Sequence, residues 1–286
     1  MAAECAELSD WYRLQTVIGT SPDGVALKAQ TLSSVWVGLK VLWHLSTPQA
    51  LREVLKELWV MTNVGHPCIL SLKAVHCLSE ESVCVVTDLL DMTLATLISS
   101  EPLCSSTCIR LILYQVLDAL YCLNKAGVCH TGVSLNSVLL NTNCDVKLTG
   151  FQGATAYGSP IEPCEWVTRR LPNTGEVLAC EKVDLWAAGV VFLELLNWAE
   201  FPKHARNSDI LRVGRNKIGT EREALSLLNG LLCGNISFSQ ALTHPYFLPL
   251  DLEPSKQETA GSGDFARLEK LPLEALQREL QLHYAN

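Results

Sequence analysis

Two neighbouring stretches decide the fold: VCHTGVSLNSVLL, from Val128 to Leu140, and VKLTGFQG, from Val146 to Gly153. The first has a histidine near its start and ends in a short apolar strand. The second is an apolar strand followed by a turn around Phe151. Neither stretch contains a side-chain carboxylate. The pattern therefore predicts a strand and loop frame in which the loop itself carries no acidic group.

The two stretches resemble the catalytic loop and the metal-binding turn of protein kinases, which the family writes H-R-D-L-K-x-x-N-[IV]-L-L and [VI]-K-[LI]-x-D-F-G. His130 and Phe151 match the family's histidine and aromatic positions, and the resemblance implies a structural role for both. Gln152 replaces the closing glycine. The family's catalytic aspartate, lysine, metal-binding asparagine and metal-binding aspartate are replaced, in that order, by Gly132, Ser134, Ser137 and Gly150.

These replacements remove the groups on which phosphoryl transfer depends. In that reaction a carboxylate orients the attacking hydroxyl, and an aspartate and an asparagine hold the magnesium ions that bridge the phosphates. Glycine offers no side-chain ligand, and a serine hydroxyl without a carboxylate beside it binds Mg²⁺ poorly. We therefore predict an α+β, two-lobed protein-kinase-like fold, with a small β-rich N-lobe and a larger mainly helical C-lobe, but no catalytic residues and no metal site.

Composition favours a globular protein whose partners are proteins. Of the 286 residues, 48% are hydrophobic and 18% charged, which suffices for a large core, and the net charge is −8. An acidic chain is poorly suited to nucleic acid or to anionic membranes, so we expect neither as a partner. The start of the chain shows no secretory signal, and we expect the cytoplasm, or alternatively the nucleus. The twelve cysteines form no CxxC pair and are expected to be free, mostly buried thiols.

The N-terminal part predicts three short strands, at 12–19, 25–30 and 35–42. Between the first two lies IGTSPDGVALKA, which is similar to the kinase glycine-rich loop, with Gly19 and Gly24 at its first and third glycines. The middle glycine is replaced by Ser21, and Pro22 and Asp23 follow it. Proline removes a backbone N–H and aspartate opposes phosphate. A plain hairpin and a degenerate phosphate loop are equally compatible with this segment.

Lys40 lies in VGLK, which resembles the family's V-A-I-K strand, and the resemblance makes it the counterpart of the lysine that contacts nucleotide phosphates. A helix is predicted to begin at Thr47 and Pro48, a capping residue followed by proline at the first helical position. The family's usual spacing selects Glu57 as the partner of Lys40. The string ALRE, similar to the corresponding helix of cyclin-dependent kinases, selects Glu53 instead. We favour Glu57; as a structural ion pair, either would need no nucleotide.

The stretch VCVVTDLL, at 83–90, fits the strand that leads out of the small lobe, with Thr87 at the gatekeeper position and Asp88 just beyond it. Apolar residues at helical spacing then predict a helix from Thr107 to Lys125, which Gly127 ends. If a nucleotide binds at all, the residues that the resemblance assigns to it are Gly19, Gly24, Lys40, Glu57, Thr87 and Asp88.

The segment after Phe151, to about residue 178, has the place and length of a kinase activation segment. The family's A-P-E falls either on 171–173 or on 174–176, and the residues do not decide between them. VDLWAAG, from Val183 to Gly189, resembles the D-x-W-x-x-G opening of the central helix of the large lobe. The resemblance gives Asp184 a structural role, in which it ties the catalytic-loop backbone to that helix.

We divide the chain into a kinase-like domain at 1–250, with its N-lobe at about 10–90 and its C-lobe at 91–250, and a C-terminal part at 251–286. The polar stretch EPSKQETAGSGD, at 253–264, is predicted to be a linker. Leu273, Leu276 and Leu280 then recur at helical spacing and predict a short amphipathic helix. We expect this helix to dock on the large lobe; the alternative is that it binds a partner.

The sequence supports two classes of function. The first is a catalytically inactive protein kinase, a pseudokinase, that binds proteins as a scaffold or allosteric regulator and needs no cofactor. The second is a weak or atypical ATP-dependent serine/threonine kinase, in which Asn136, Asp145 or Glu162 would supply a metal ligand. Between the two lies ATP binding without magnesium and without catalysis, for which Lys40 with Glu57 would suffice.

Overall fold

In a computed structural model of the protein, the described residues are 7–100, 105–161, 177–197, 222–255, 258–259 and 263–284. Their strands are β1 (Tyr12–Ser21), β2 (Gly24–Thr31), β3 (Trp36–Leu42), β4 (Val64–Gly65), β5 (Leu72–Ser79), β6 (Ser82–Asp88), β7 (Met92–Thr93), β8 (Val128–Cys129), β9 (Val138–Leu140), β10 (Val146–Leu148), β11 (Thr155–Ala156) and β12 (Glu258–Thr259). Their α-helices are α1 (Pro48–Asn63), α2 (Leu94–Ser100), α3 (Ser106–Lys125), α4 (Glu181–Asn197), α5 (Arg222–Cys233), α6 (Phe238–Leu242), α7 (Gly263–Leu268) and α8 (Leu273–Tyr284). Short 3₁₀ turns cover Phe151–Gly153 and Pro245–Leu250.

The described residues fall into two compact units. The small unit is drawn from Met1–Asn63, Leu70–Leu90 and Asp264–Asn286, and the large unit from Val64–Ile69 and Asp91–Gly263. The small unit carries the main sheet and the large unit is mainly helical. The predicted α+β class, with a β-rich N-lobe and a helical C-lobe, is confirmed.

The sheet of the small unit has five antiparallel strands in the order β1-β2-β3-β6-β5. The three predicted N-terminal strands are present, each within two residues of its expected bounds. On β3 the alternate residues Val37, Leu39 and Val41 are buried in the core. Because successive side chains on a strand point to opposite faces, Lys40 lies on the other face of the sheet.

Helix α1 begins where its capping sequence predicts. The Thr47 hydroxyl accepts the Ala50 N–H at 3.2 Å, and Pro48 is the first helical residue. A proline costs nothing at this position, because its missing N–H would have had no partner inside the helix. Leu51, Leu55 and Leu58 lie along one face of the helix and are buried.

Helices α7 and α8 pack within the small unit, so the predicted docking of the C-terminal helix on the large lobe is wrong. Helix α8 contacts α1 and β5 and buries Leu276 and Leu280. The fully buried Phe265 meets Trp59 of α1 edge to face, with 5.0 Å between ring centroids. The Arg52 guanidinium donates to the Leu271 carbonyl at 3.1 Å. Helical spacing predicted the apolar face correctly, but it contains no information about which surface covers that face.

The segment predicted as a linker is partly ordered in the large unit. Ser255 donates both its N–H, at 3.1 Å, and its hydroxyl, at 2.7 Å, to Oδ2 of Asp118, to which His66 Nε2 also bonds at 3.2 Å. Beyond the two undescribed residues that follow Ser255, β12 pairs with β4. A polar, glycine-bearing composition is typical of linkers, but it does not exclude such side-chain hydrogen bonds.

Helix α3 is the central helix of the large unit. It runs from Ser106 to Lys125, one residue longer than predicted, and contacts α4 and α6. By length and composition alone α3 would suffice to cross a bilayer, yet most of it is buried inside the protein. A core helix of a globular protein is expected to have the same length and apolar composition, so these two properties do not distinguish it from a membrane-spanning helix.

The nine described cysteines form no disulfide with one another, but fewer than half of them are buried, whereas the sequence predicted mostly buried thiols. Four of the nine are buried, namely Cys68, Cys84, Cys122 and Cys129. Cys108 and Cys144 are partly exposed, and Cys77, Cys180 and Cys233 are exposed. A cysteine is small and weakly polar, so its residue type alone predicts burial only on average.

We expect Phe265→Ala to destabilise the protein by about 3–5 kcal/mol, because it removes a fully buried ring and leaves a cavity against Trp59. Leu32→Ala, at a side chain that is 65% exposed in the same unit, is the matched control and should cost less than about 0.5 kcal/mol. Urea unfolding followed by circular dichroism measures both. Equal midpoints would contradict the packing of α7 on α1.

We also expect Asp118 to contribute to stability in a pH-dependent way. Burial by itself raises the pKa of Asp118, but hydrogen bonds from His66 and Ser255 outweigh it and hold the pKa below its ordinary value. A carboxyl whose pKa is lower in the folded state stabilises that state above its unfolded pKa, near about 3.9, and loses the contribution as the pH falls through the folded pKa.

The measurement compares the free energy of unfolding of the wild type and of Asp118→Asn from about pH 5 downward, through the unfolded carboxyl pKa near 3.9. The stability advantage of the wild type should shrink as the pH falls, because only the wild type has the ionised group to lose. A difference that stays constant across this range would refute the assignment.

Candidate functional site

The loop of the large unit is held by Asp184, in the first turn of α4. Asp184 is 1% exposed; its Oδ2 accepts the His130 N–H at 2.7 Å and its Oδ1 accepts the Thr131 N–H at 2.9 Å. Burial raises the pKa of Asp184, while the hydrogen bonds from the two backbone N–H groups act in the opposite direction. The carboxylate thus ties the loop backbone to the helix, as the resemblance implies.

His130 links this loop to the turn that follows β10. Its Nε2–H donates to the Thr149 carbonyl at 3.0 Å, and its Nδ1 accepts the Gly132 N–H at 3.2 Å. A carbonyl only accepts and an amide N–H only donates, so these partners fit a neutral ring with its proton on Nε2. The ring also packs on Phe151, with 5.1 Å between centroids. His130 and Phe151 therefore act as parts of the frame.

Thr131 stands where the family has the basic residue that receives an activating phosphate. Its φ of 61° is unusual for a β-branched residue and needs support from its surroundings. That support comes from its N–H on Asp184 and from its hydroxyl, which donates to the Gly153 carbonyl at 2.6 Å. The Thr131 hydroxyl thus bonds the loop to the turn that follows β10.

Ser137, at the position of the metal-binding asparagine, is closed into a local ring with Ser134. Its hydroxyl accepts the Ser134 N–H at 2.9 Å and donates to the Ser134 carbonyl at 3.0 Å. Ser137 is buried, and its carbonyl accepts the Thr149 N–H at 2.9 Å. These two serines therefore stabilise the loop, and the Ser137 hydroxyl is already occupied on both its donor and acceptor sides.

Gly132 and Gly150 differ in whether their backbone conformation favours glycine. Gly150 has φ 84° and ψ 41°, in the left-handed region where glycine is unstrained. At Gly132 a Cβ would lie 3.8 Å from Nδ1 of His130, an ordinary contact. A side chain would therefore fit at Gly132, and the missing carboxylate there is not a consequence of crowding.

The donor set around this loop does not suit magnesium. Mg²⁺ is bound by charged oxygens in octahedral geometry, whereas Gly132 and Gly150 provide no side chain and the Ser137 hydroxyl is engaged. Among the described residues, no group of three or more His, Cys, Asp or Glu side chains is placed to hold a metal ion. The part of the loop that the structure describes is thus a hydrogen-bonded scaffold.

The substitute ligands considered from the sequence do not come together here. Asp145 is exposed in the turn between β9 and β10, where its Oδ2 accepts the Asn141 amide at 2.9 Å. Asn136 is exposed. Glu162 lies outside the described residues, as do both proposed positions for the end of the activation segment.

In the small unit Lys40 pairs with Glu57. Glu53, the other partner that the sequence allowed for Lys40, is not the one that it contacts. The Lys40 ammonium lies 2.6 Å from Glu57 Oε2 and 2.9 Å from Oε1. The Glu57 side chain is 3% exposed and that of Lys40 is 32% exposed. Glu53 lies on the surface of α1, where it accepts the Gln49 amide. The pair links β3 to α1 and is complete without any ligand.

The segment similar to a glycine-rich loop is a β-hairpin, with register shifts in β1 between Leu14 and Thr16 and between Val17 and Gly19. Strands β1 and β2 stay paired down to Ser21 opposite Gly24, so that Pro22 and Asp23 form a two-residue turn. The Trp43 indole donates to the Pro22 carbonyl at 2.9 Å, and the Trp43 N–H donates to the Asp23 carbonyl at 3.0 Å. Both turn carbonyls are thereby fastened to the end of β3.

Gly24 is required by packing in this hairpin. A Cβ on it would lie 2.4 Å from the Val41 carbonyl oxygen of β3, far closer than any real contact. Gly19 has no such constraint, since its Cβ would meet that of Ala26 at 3.7 Å. The glycine that resembled part of a phosphate loop is therefore explained by the close approach of two strands.

Thr87 and Asp88, at the end of β6, are both engaged inside the small unit. The Thr87 hydroxyl donates to the Asp88 carbonyl at 3.1 Å. The Asp88 carboxylate pairs with Lys73 of β5 at 2.7 Å, with both side chains about two-fifths exposed. Gly38 of β3 leaves the space that Thr87 occupies, because a Cβ there would lie 3.2 Å from the hydroxyl.

Comparison with known proteins identifies the family to which this chain belongs. Residues 12–247 match the model of the protein kinase domain. The chain belongs to the protein kinase family. Among the relatives of this family member, the mitogen-activated protein kinase hog1 of Aspergillus glaucus is 31% identical over 55% of this chain and 44% of its own length. The mitogen-activated protein kinase sty1 of Schizosaccharomyces pombe is 29% identical over 67% of this chain and 56% of its own.

The match to a third relative covers more of both chains. The mitogen-activated protein kinase hog1 of Blastobotrys adeninivorans is 24% identical over 90% of this chain and 75% of its own length. The chain spans about half the length of the first two relatives. These matches do not address the faint likeness of α1 to cyclin-dependent kinases, which stays a prediction.

Sequence reasoning missed two residues that make hydrogen bonds across the fold, namely Trp43, which bonds to the Pro22 carbonyl, and Ser255, which bonds to Asp118. Trp43 follows β3 directly and carries no motif, and Ser255 lies in a segment of linker composition. The only sequence signal at Trp43 was an aromatic residue at a strand end. Asp184, in contrast, was found because its own motif is intact.

We expect Asp184→Asn to destabilise the large unit by about 2–4 kcal/mol, since an amide can accept from only one of the two loop N–H groups and turns its own N–H toward the other. Asp145→Asn, on the exposed turn, is the matched control and should be nearly neutral. Chemical denaturation measures both variants. If Asp184→Asn proved as stable as the control, the loop would have to be held by other bonds.

Proposed function

We propose that this member of the protein kinase family is catalytically inactive and acts as a protein-binding scaffold or allosteric regulator. The observation that carries the proposal is the combined state of three positions: Gly132 and Gly150 have no side chain to offer, and the Ser137 hydroxyl is closed onto Ser134. Loss of one group could be offset by a neighbour. Loss of the base and of both metal ligands leaves phosphoryl transfer without its charged groups.

The retained frame supports binding as the function. Asp184, His130 and Phe151 hold the loop in place although the loop lacks the catalytic groups. A buried carboxylate with two backbone donors is costly to maintain if it is not fully satisfied. Here the fold keeps such a network, so the shape of the domain is preserved independently of its chemistry. The partners we propose are proteins, in keeping with the net charge of −8.

A second candidate, nucleotide binding without catalysis, is favoured by one observation, the intact Lys40–Glu57 pair. A lysine held at 2.6 Å from a nearly buried glutamate is preorganised and still partly exposed. Against it, the Pro22–Asp23 turn is fastened by Trp43 and the Thr87 hydroxyl already occupies the Asp88 carbonyl. We propose that any ATP bound is held weakly and without magnesium.

The testing experiment combines phosphoryl transfer from labelled ATP with a thermal-shift titration of the same protein, with and without Mg²⁺. We expect no transfer and no magnesium-dependent shift. A ligand at 100 times its Kd would stabilise the native state by about 2.7 kcal/mol, a shift of several degrees that is easily seen. A shift that does not need magnesium would support the second candidate.

The test variant combines Lys40→Met with Glu57→Gln. It removes both charges of the pair and so avoids the cost of a buried, unpaired carboxylate. Lys270→Met, at an exposed lysine of the same unit, is the matched control. Transfer that requires Mg²⁺ in the wild type, persists in Lys270→Met and disappears in the double variant would overturn the proposal and establish an enzyme.

A further inference from the structure

Helix α1 carries three side chains in one line that meet the C-terminal part of the chain. Arg52, Lys56 and Trp59 are four and three residues apart, so they lie on one side of the helix. Their partners lie at 265–271, in α7 and in the turn between α7 and α8. At the start of the line the Arg52 guanidinium donates to the Leu271 carbonyl at 3.1 Å. This first contact joins α1 to the backbone just before α8.

The other two contacts continue along the same line. The Lys56 ammonium lies 3.6 Å from Glu269 Oε1, and the two side chains are only 16% and 17% exposed. One turn further on, Trp59 packs edge to face on the fully buried Phe265, with 5.0 Å between ring centroids. As α1 advances from Arg52 to Trp59, its partners go back along the chain toward Phe265. The two segments therefore run antiparallel, with three contacts in register.

The C-terminal partner of α1 is itself a linked pair of helices. Arg267 of α7 forms an ion pair with Glu279 of α8. Leu276 and Leu280 of α8 are buried, and α8 contacts both α1 and β5. We call residues 263–284 the clamp segment. None of the strands of the five-stranded sheet comes from it, so the segment can leave α1 without unpairing that sheet.

Glu57 projects from a different side of α1. Successive residues of an α-helix are about 100° apart around its axis, which places Glu57 about 100° from Lys56 and about 160° from Trp59. The Glu57 carboxylate lies 2.6 and 2.9 Å from the Lys40 ammonium, and its side chain is 3% exposed. Helix α1 is thus held by the clamp segment on one side and joined to β3 by the ion pair on another.

The ion pair is sensitive to small rotations of α1. Side chains end about 5–6 Å from the axis of a helix, so a rotation of about 30° moves the Glu57 carboxylate by about 3 Å. A 2.6 Å contact that lengthens by this amount is no longer a hydrogen bond. Because Glu57 is nearly buried, it would then lack its cation in a poorly solvated place. Contacts that fix the rotation of α1 therefore preserve the pair.

We propose that the clamp segment is a regulatory device that sets the position of Glu57 against Lys40 by fixing the rotation of α1. When the segment lies on α1, as it does in this structure, the pair is closed. When the segment is lifted, α1 turns and the pair loosens. Arg52, Lys56 and Trp59 are positioning residues in this device. The inference does not rest on the proposed loss of catalysis, because the pair is complete without any ligand.

The test reverses charges in the full chain. Lys56→Glu and Glu269→Lys each place two like charges together between α1 and the clamp segment, whereas the double variant restores an attractive pair with the signs exchanged. The matched controls are Glu274→Lys and Arg278→Glu. They reverse the charges of another ion pair on α8, 4.0 Å apart, whose side chains are 87% and 78% exposed.

The first readout is hydrogen–deuterium exchange measured by mass spectrometry. We expect each single reversal to speed amide exchange in α1 by about fivefold, with exchange in β2 and β3 unchanged. The double variant and both controls should exchange like the wild type. An equal rise across α1, β2 and β3 would mean a general loss of stability and would overturn the proposal. Wild-type exchange in both single reversals would overturn it as well.

The second readout is the rate at which N-acetoxysuccinimide acetylates Lys40, with the exposed Lys125 of the large unit as internal reference. An amine released from its carboxylate should react faster, so the rate at Lys40 should rise in the single reversals and return in the double variant. Phe265→Leu, which loosens the clamp without changing charge, should give the same pattern. If α1 exchanged faster while the rate at Lys40 stayed constant, the clamp segment would not control the pair.

Discussion

The structure of the large unit depends on one carboxylate. Asp184 accepts the N–H groups of His130 and Thr131 from a fully buried position, and it holds Thr131 in a backbone conformation that a β-branched residue would otherwise avoid. From there His130 reaches the Thr149 carbonyl and the Phe151 ring, so that loop, strand and turn form one connected network. Because buried donors and acceptors are expensive to leave unpaired, every member of this network constrains the others.

This network explains how the loop keeps its shape with glycine or serine at the motif positions. The groups that carry phosphoryl transfer in the family are side chains that project from the loop, whereas the groups that shape the loop are backbone amides and Asp184. The projecting side chains can change to glycine or serine without breaking any of the bonds that shape the loop. At Ser137 the hydroxyl makes two hydrogen bonds to Ser134. Shape and catalysis are thus separable in this part of the molecule.

In the small unit, too, the residues at the family's motif positions make structural contacts. Gly24 allows β2 to approach β3, Trp43 fastens the Pro22–Asp23 turn, and Lys40 is satisfied by Glu57 alone. Helices α7 and α8 pack on α1, the helix that carries Glu57. A pair that is complete and supported in this way contributes to stability whether or not a nucleotide binds.

The sequence by itself determined the family, the α+β class and the strands and helices of the frame, because these depend on local patterns and on motifs in a fixed order. It favoured Glu57 over Glu53, but only the tertiary structure decided between two glutamates one turn apart on the same helix. The structure alone also decided where the C-terminal helix packs and that Ser255 bonds to Asp118. These are contacts between residues distant in the chain, and an amphipathic face or a single polar residue does not specify its partner.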